Sequence, residues 1–130
     1  MTGYEAATLY AGLFVLLFLA LKLNTGRVRA SAKISVGHGD NDELHRAMRV
    51  QGNAIEDVPV TVIGLFALAA LSAPTLLIHI LGGGFFVFRV LHAVGLGGST
   101  GTGLGRMIGT LGSAIVMLVT GGACVWFALA

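Results

Sequence analysis

Arg46, Arg49, Asn53 and Glu56 step along the chain by three, four and three residues. At about 3.6 residues per turn these steps keep to one helix face, so two guanidinium groups, a carboxamide and a carboxylate line up in a stripe. Arginine forks bind carboxylates and a carboxylate binds an ammonium group, so the stripe suits a pocket for a charged, zwitterionic ligand. The same residues also suit an internal polar network that fixes helix packing, and the pattern by itself leaves both readings open. Gln51 points away from the stripe and reaches such a ligand only from a neighbouring subunit. A second group, Arg89-Val-Leu-His92, sets a guanidinium and an imidazole three residues apart on one face, and Arg106 follows a glycine-rich stretch. Pro59 removes one backbone donor just past the stripe and loosens the helix there.

The elements that carry these residues are apolar enough to belong in a bilayer. The chain of 130 residues is 55% hydrophobic and 11% charged, against about 25% charged in soluble proteins. Its mean hydropathy is +0.88. Four runs each approach the ~20 apolar residues a membrane helix needs: Tyr4 to Leu23, Val50 to Leu71, Pro74 to Leu96 and Leu104 to Leu129. Continuous apolarity without alternation argues against a barrel. The expected fold is therefore all-α, a single four-helix membrane domain over residues 1–130. A charged group near the centre of such a helix costs at least about 2.5 kcal/mol, so the polar stripe must face a cavity or other polar groups.

The connections set the arrangement. The expected first loop, Asn24 to Met48, is long and polar. The second, Ser72-Ala73-Pro74, is short enough to make helices two and three an antiparallel hairpin, and the third, Gly95 to Gly105, is glycine-rich. All eight basic residues (Lys22, Arg27, Arg29, Lys33, Arg46, Arg49, Arg89 and Arg106) fall in or beside the first and third loops. Positive charge marks the cytoplasmic side, so both termini are expected on the opposite side. This topology brings the start of helix two, the end of helix three and the start of helix four to one membrane face. Gly105, Gly109 and Gly112, with Gly121 and Gly122, suit close helix packing and suggest a homo-oligomer.

The pattern Arg46-x-x-Arg49-x-Gln51-x-Asn53-x-x-Glu56-x-x-Pro59, followed by Arg89-x-x-His92 and Arg106, resembles the MAPEG family of membrane-associated proteins in eicosanoid and glutathione metabolism. The resemblance spans the whole chain, and its short length and Gly37-His38-Gly39-Asp40 turn look most like the bacterial members, which points to a bacterial inner membrane. It implies a homotrimer with glutathione sites between adjacent subunits, open to the cytoplasm. By resemblance, Arg49, Asn53 and Glu56 bind glutathione from helix two, Gln51 contacts it from the neighbouring chain, and Arg89 and His92 contact ligand from helix three. Arg106 matches the arginine that holds the glutathione thiolate, the group that attacks a lipophilic electrophile, so the resemblance implies a membrane-bound glutathione transferase or peroxidase. Two departures stand out: Asp57 replaces a tyrosine of the leukotriene-forming members, and Leu96 replaces a second tyrosine common in eukaryotic ones. Arg27 and Arg29 both remain candidates for a first-loop arginine role. Some members bind lipid without catalysis, so a non-catalytic lipid- or glutathione-binding scaffold is the alternative implied.

Other features carry less. The net charge of +2 includes no basic run, so nucleic acid is not an expected partner. A single cysteine, Cys124, excludes an internal disulfide and reads as a packing residue. The first apolar run ends in basic residues, the reverse of a signal peptide, and reads as a retained anchor. The stretch Gly95 to Gly105 lacks the GK[ST] ending of a phosphate loop. His38, Asp40, Asp42 and Glu43 fit no metal-ligand spacing, so no metal is expected. A solvated place at the headgroups is expected for His45, and one on the far side of the membrane for His79. A transporter is disfavoured by the lack of inverted repeats.

Overall fold

The computed structural model describes residues 1–98 and 103–130. Four helices follow in order: α1 (Gly3–Ala32), α2 (Asp42–Ala70), α3 (Thr75–Gly98) and α4 (Leu104–Leu129). Each contains an apolar window long enough to cross a membrane. Thr2 and Glu5 form a capping box at the start of α1, and Asn41 accepts a hydrogen bond from the Leu44 amide at the start of α2. Pro59 lies inside α2, and the helix continues past it to Ala70.

The two inner helices are α2 and α3. Each touches the other, α1 and α4, whereas α1 and α4 do not meet among the described residues. Phe14 of α1 packs between Phe85 and Phe86 of α3, with ring centroids 5.5 and 5.4 Å away. Val58, Leu65 and Leu68 of α2 and Val116 of α4 complete the same core. Large apolar side chains such as Leu16, Ile63, Leu76, Leu118 and Trp126 point outward, as they would toward lipid.

The first connection is shorter than the expected loop of Asn24 to Met48. α1 runs on to Ala32 and α2 begins at Asp42, leaving only residues 33–41 between them. Hydropathy registers the turns that contact lipid, but these extra turns are held by a small core of their own. Val28, Leu44 and Ala47 are buried there, with Ile34 and Met48 packed against them. Thr25 Oγ1 donates to the Ala47 carbonyl at 3.3 Å. Lys33, with φ 57°, ends α1 in the left-handed region.

The third connection also changes. Gly95 to Gly98 belong to α3, and residues 99–102, the middle of the expected glycine-rich loop, lie outside the described residues. Gly95 is a packing position: a Cβ there would run into the backbone of Arg106. Gly109 and Gly112 likewise bring α4 onto α3 of the same chain, against His92 and Phe88. Gly121 and Gly122 meet nothing within 4 Å. The glycine stripe expected to join subunits is thus largely used within the chain.

Candidate functional site

The close α3–α4 contact decides where the polar side chains go. A Cβ on Gly109 would lie 2.5 Å from the His92 nitrogen and 2.7 Å from its Cα, so the two backbones touch. Arg106 and Thr110, on either side of this contact along α4, then face the same space as Arg89, His92 and Leu96 of α3. The stripe of α2 closes the third side. The result is a cavity of about 440 Å³ lined by His45, Arg46, Arg49 and Asn53, by Arg89, His92 and Leu96, and by Arg106 and Thr110. Its size falls within the ~300–1,000 Å³ of small-molecule sites.

Among the described residues, four guanidinium groups and two imidazoles line this cavity, and no carboxylate does. Arg89 is 3% exposed, and its Nη1 donates to Oδ2 of Asp57 at 2.8 Å. Arg46, Arg49 and Arg106 have no carboxylate within 4.0 Å among the described residues. Arg46 Nε, Arg89 Nε and His92 Nδ1 are buried and have no hydrogen-bond partner among the described residues. Asn53 donates to the Arg49 carbonyl at 2.9 Å, which leaves its own oxygen free to accept. The arrangement is a positively charged cup with unused donors, suited to a ligand with several oxygen or sulfur acceptors, more than one of them anionic.

The family model of the MAPEG family matches residues 7–126. This chain belongs to the MAPEG family. It is similar to inner membrane protein YecN of Escherichia coli, at 30% identity over 89 residues, 68% of each chain. The "uncharacterized protein sll1147" of Synechocystis is 32% identical over 117 residues, 88% of this chain and 82% of that one. No solved structure matches it significantly. With four helices able to span, this MAPEG chain is an integral multi-pass membrane protein.

Of the residues singled out in the sequence, Arg49, Asn53, Arg89, His92 and Arg106 meet at the cavity, whereas Gln51 and Glu56 do not line it within one chain. Glu56 is exposed and Gln51 half-buried. Neither Arg27 nor Arg29 lines the cavity. Arg29 donates to the carbonyls of Ile34 and Gly37 at 3.2 and 2.9 Å, which ties the first connection to α1. Arg27 is exposed, bonded to Asn24 at 3.0 Å and 3.9 Å from Glu43. His38 and His45 stack edge to face, 4.6 Å between centroids. His79 accepts or donates at Nδ1 with the Tyr10 hydroxyl, 2.9 Å away, at the far end of the bundle.

Sequence reading missed two polar features, the pairing of Asp57 with Arg89 and the burial of Ser113. Asp57 lies four residues after Asn53, hence on its face, and an arginine at membrane depth needs a counter-ion; that pairing was the available signal. Ser113 lies seven residues after Arg106 on the same face of α4, is 2% exposed and has a hydroxyl with no partner among the described residues, although it does not line the cavity. Its spacing from Arg106 and Thr110 was the only hint.

Proposed function

We propose that this protein binds glutathione in the α2–α3–α4 cavity and transfers it to lipophilic electrophiles that arrive from the bilayer. The observation that carries the reading is the convergence of Arg46, Arg49 and Arg106, with no carboxylate partner among the described residues, on one cup in an otherwise apolar bundle. Glutathione as a thiolate carries three anionic groups, two carboxylates and the sulfur, which match these three guanidinium groups in number. Its ammonium group suits the carboxylate of Glu56, which lies outside the cavity within one chain and is assigned to the ligand by the family resemblance. Family membership supports the same reading. The active assembly is a homotrimer in which Gln51 of one chain completes the cavity of the next, and, as the name of YecN suggests for that relative, the membrane is the bacterial inner membrane.

Only the thiolate is an effective nucleophile, and a free thiol has a pKa of about 8.5. A guanidinium beside the sulfur favours its anion, and Arg106 supplies that charge. The thiol proton leaves to water at the open end. The sulfur then attacks the electrophilic carbon, an S–C bond forms, and the leaving group departs with its electron pair.

Calorimetry of glutathione binding to the purified protein tests the reading, followed by an aryl halide in the same sample. Wild-type protein is expected to bind and to form thioether with release of halide. Arg49→Ala weakens binding by about tenfold or more, the worth of a charge-assisted hydrogen bond. Arg106→Ala lowers turnover and the thiolate absorbance of the bound ligand. Binding without thioether makes the protein a glutathione-binding scaffold, and no binding removes the proposal.

A further inference from the structure

Asp57 stands one helical turn beyond Asn53 on α2, and its Oδ2 receives Nη1 of Arg89 from α3 at 2.8 Å. Arg89 lines the cavity but Asp57 does not. The arginine is almost fully buried and the carboxylate is 35% exposed. A guanidinium is a rigid planar fork of five N–H donors, so fixing one nitrogen fixes the direction of all the others. The Nε of Arg89 is left buried and without a partner among the described residues, as is the Nδ1 of His92, which lines the same cavity. Buried donors without acceptors are costly and mark places where a ligand or a water completes the site.

The carboxylate also changes what Arg89 can recognise. Arg89 and Asp57 together carry no net charge, whereas Arg46, Arg49 and Arg106 keep theirs. We propose that Asp57 is a positioning residue: it holds Arg89 through Nη1 and aims the remaining N–H donors into the cavity, toward an uncharged oxygen acceptor such as a peptide carbonyl of the thiol ligand. The anionic groups of that ligand fall to Arg46, Arg49 and Arg106, which have no carboxylate partner among the described residues. The inference rests on the reading of the cavity as a thiol-peptide site.

The test is glutathione affinity, by calorimetry, of the full-length protein with Asp57→Ala, Asp57→Glu, Arg89→Ala and the double variant. Asp57→Ala weakens binding by about tenfold, the loss expected when a charge-assisted contact is no longer oriented. Asp57→Glu recovers most of it. Because Asp57 acts through Arg89, adding Asp57→Ala to Arg89→Ala costs nothing more, a non-additivity that independent structural roles do not produce. Thermal unfolding of each variant separates loss of fold from loss of affinity. Should Asp57→Ala not fold, Asp57→Asn and Asp57→Glu carry the test, the first weakening binding and the second restoring it. Unchanged affinity on removal of the carboxylate, or penalties that add, overturns the proposal while the thiol reading stands. Wild-type protein that binds no glutathione overturns both.

Discussion

An arginine at membrane depth is retained only where its charge is shared or exposed to a polar space, and the arginines of this chain meet that condition in different ways. Arg89 is neutralised by Asp57, while Arg46, Arg49 and Arg106 border the cavity. Arg29 lies beyond the core and spends its donors on the Ile34 and Gly37 carbonyls, so it works as a clasp for residues 33–41. Arg27, 68% exposed and 3.9 Å from Glu43, is a surface charge within one chain. The two are expected to separate in thermal unfolding. Arg29→Ala costs about 1–2 kcal/mol through its lost hydrogen bonds. Arg27→Ala changes stability by no more than about 0.5 kcal/mol, the usual range for an exposed surface substitution. Equal losses would mean that the clasp does not hold the connection.

At the scale of the elements, the site depends on how closely α4 lies on α3. The contacts at Gly95, Gly109 and Gly112 are to backbone or to a packed ring, which cannot swing aside as the end of a flexible side chain can. Gly109→Ala would force the two helices apart at His92. It is expected to cost roughly 1–3 kcal/mol, as overpacking does, and to weaken glutathione binding by moving Arg106 relative to His92. Gly26→Ala is the control: nothing lies within 4 Å of its Cβ, and alanine is the better helix former by about 1 kcal/mol. Thermal unfolding and calorimetry on both variants check the contrast. Gly109→Ala with wild-type stability would show that the α3–α4 contact is looser than described. The same logic explains why the first connection is short. Val28, Leu44 and Ala47 form a core outside the apolar windows, and it keeps both helices wound past the point where hydropathy falls.

For the whole molecule, the basic residues gather at one end of the bundle, the end that holds the cavity. A reporter fused at Ala130 is expected to read out on the non-cytoplasmic side, and the mass in mild detergent to equal three chains; a cytoplasmic reporter or a monomer would each contradict its part. The all-α class, the four membrane helices and the polar face of α2 were legible in the sequence, because bilayer thickness and helix period act on residues close together in the chain. The meeting of Arg49, Asn53, Arg89, His92 and Arg106 at one end of the bundle was legible as well, since antiparallel helices with a short turn must bring those ends together. The pairing of Asp57 with Arg89, the unsatisfied hydroxyl of Ser113 and the division of labour between Arg27 and Arg29 were not. Each depends on which atoms of distant segments come within a few ångströms, and rotating a helix by about 100°, one residue, would exchange the partners. The glycines show the same limit: their small size was plain, but whether they admit another subunit or their own neighbouring helix is settled only by the packing of α3 against α4.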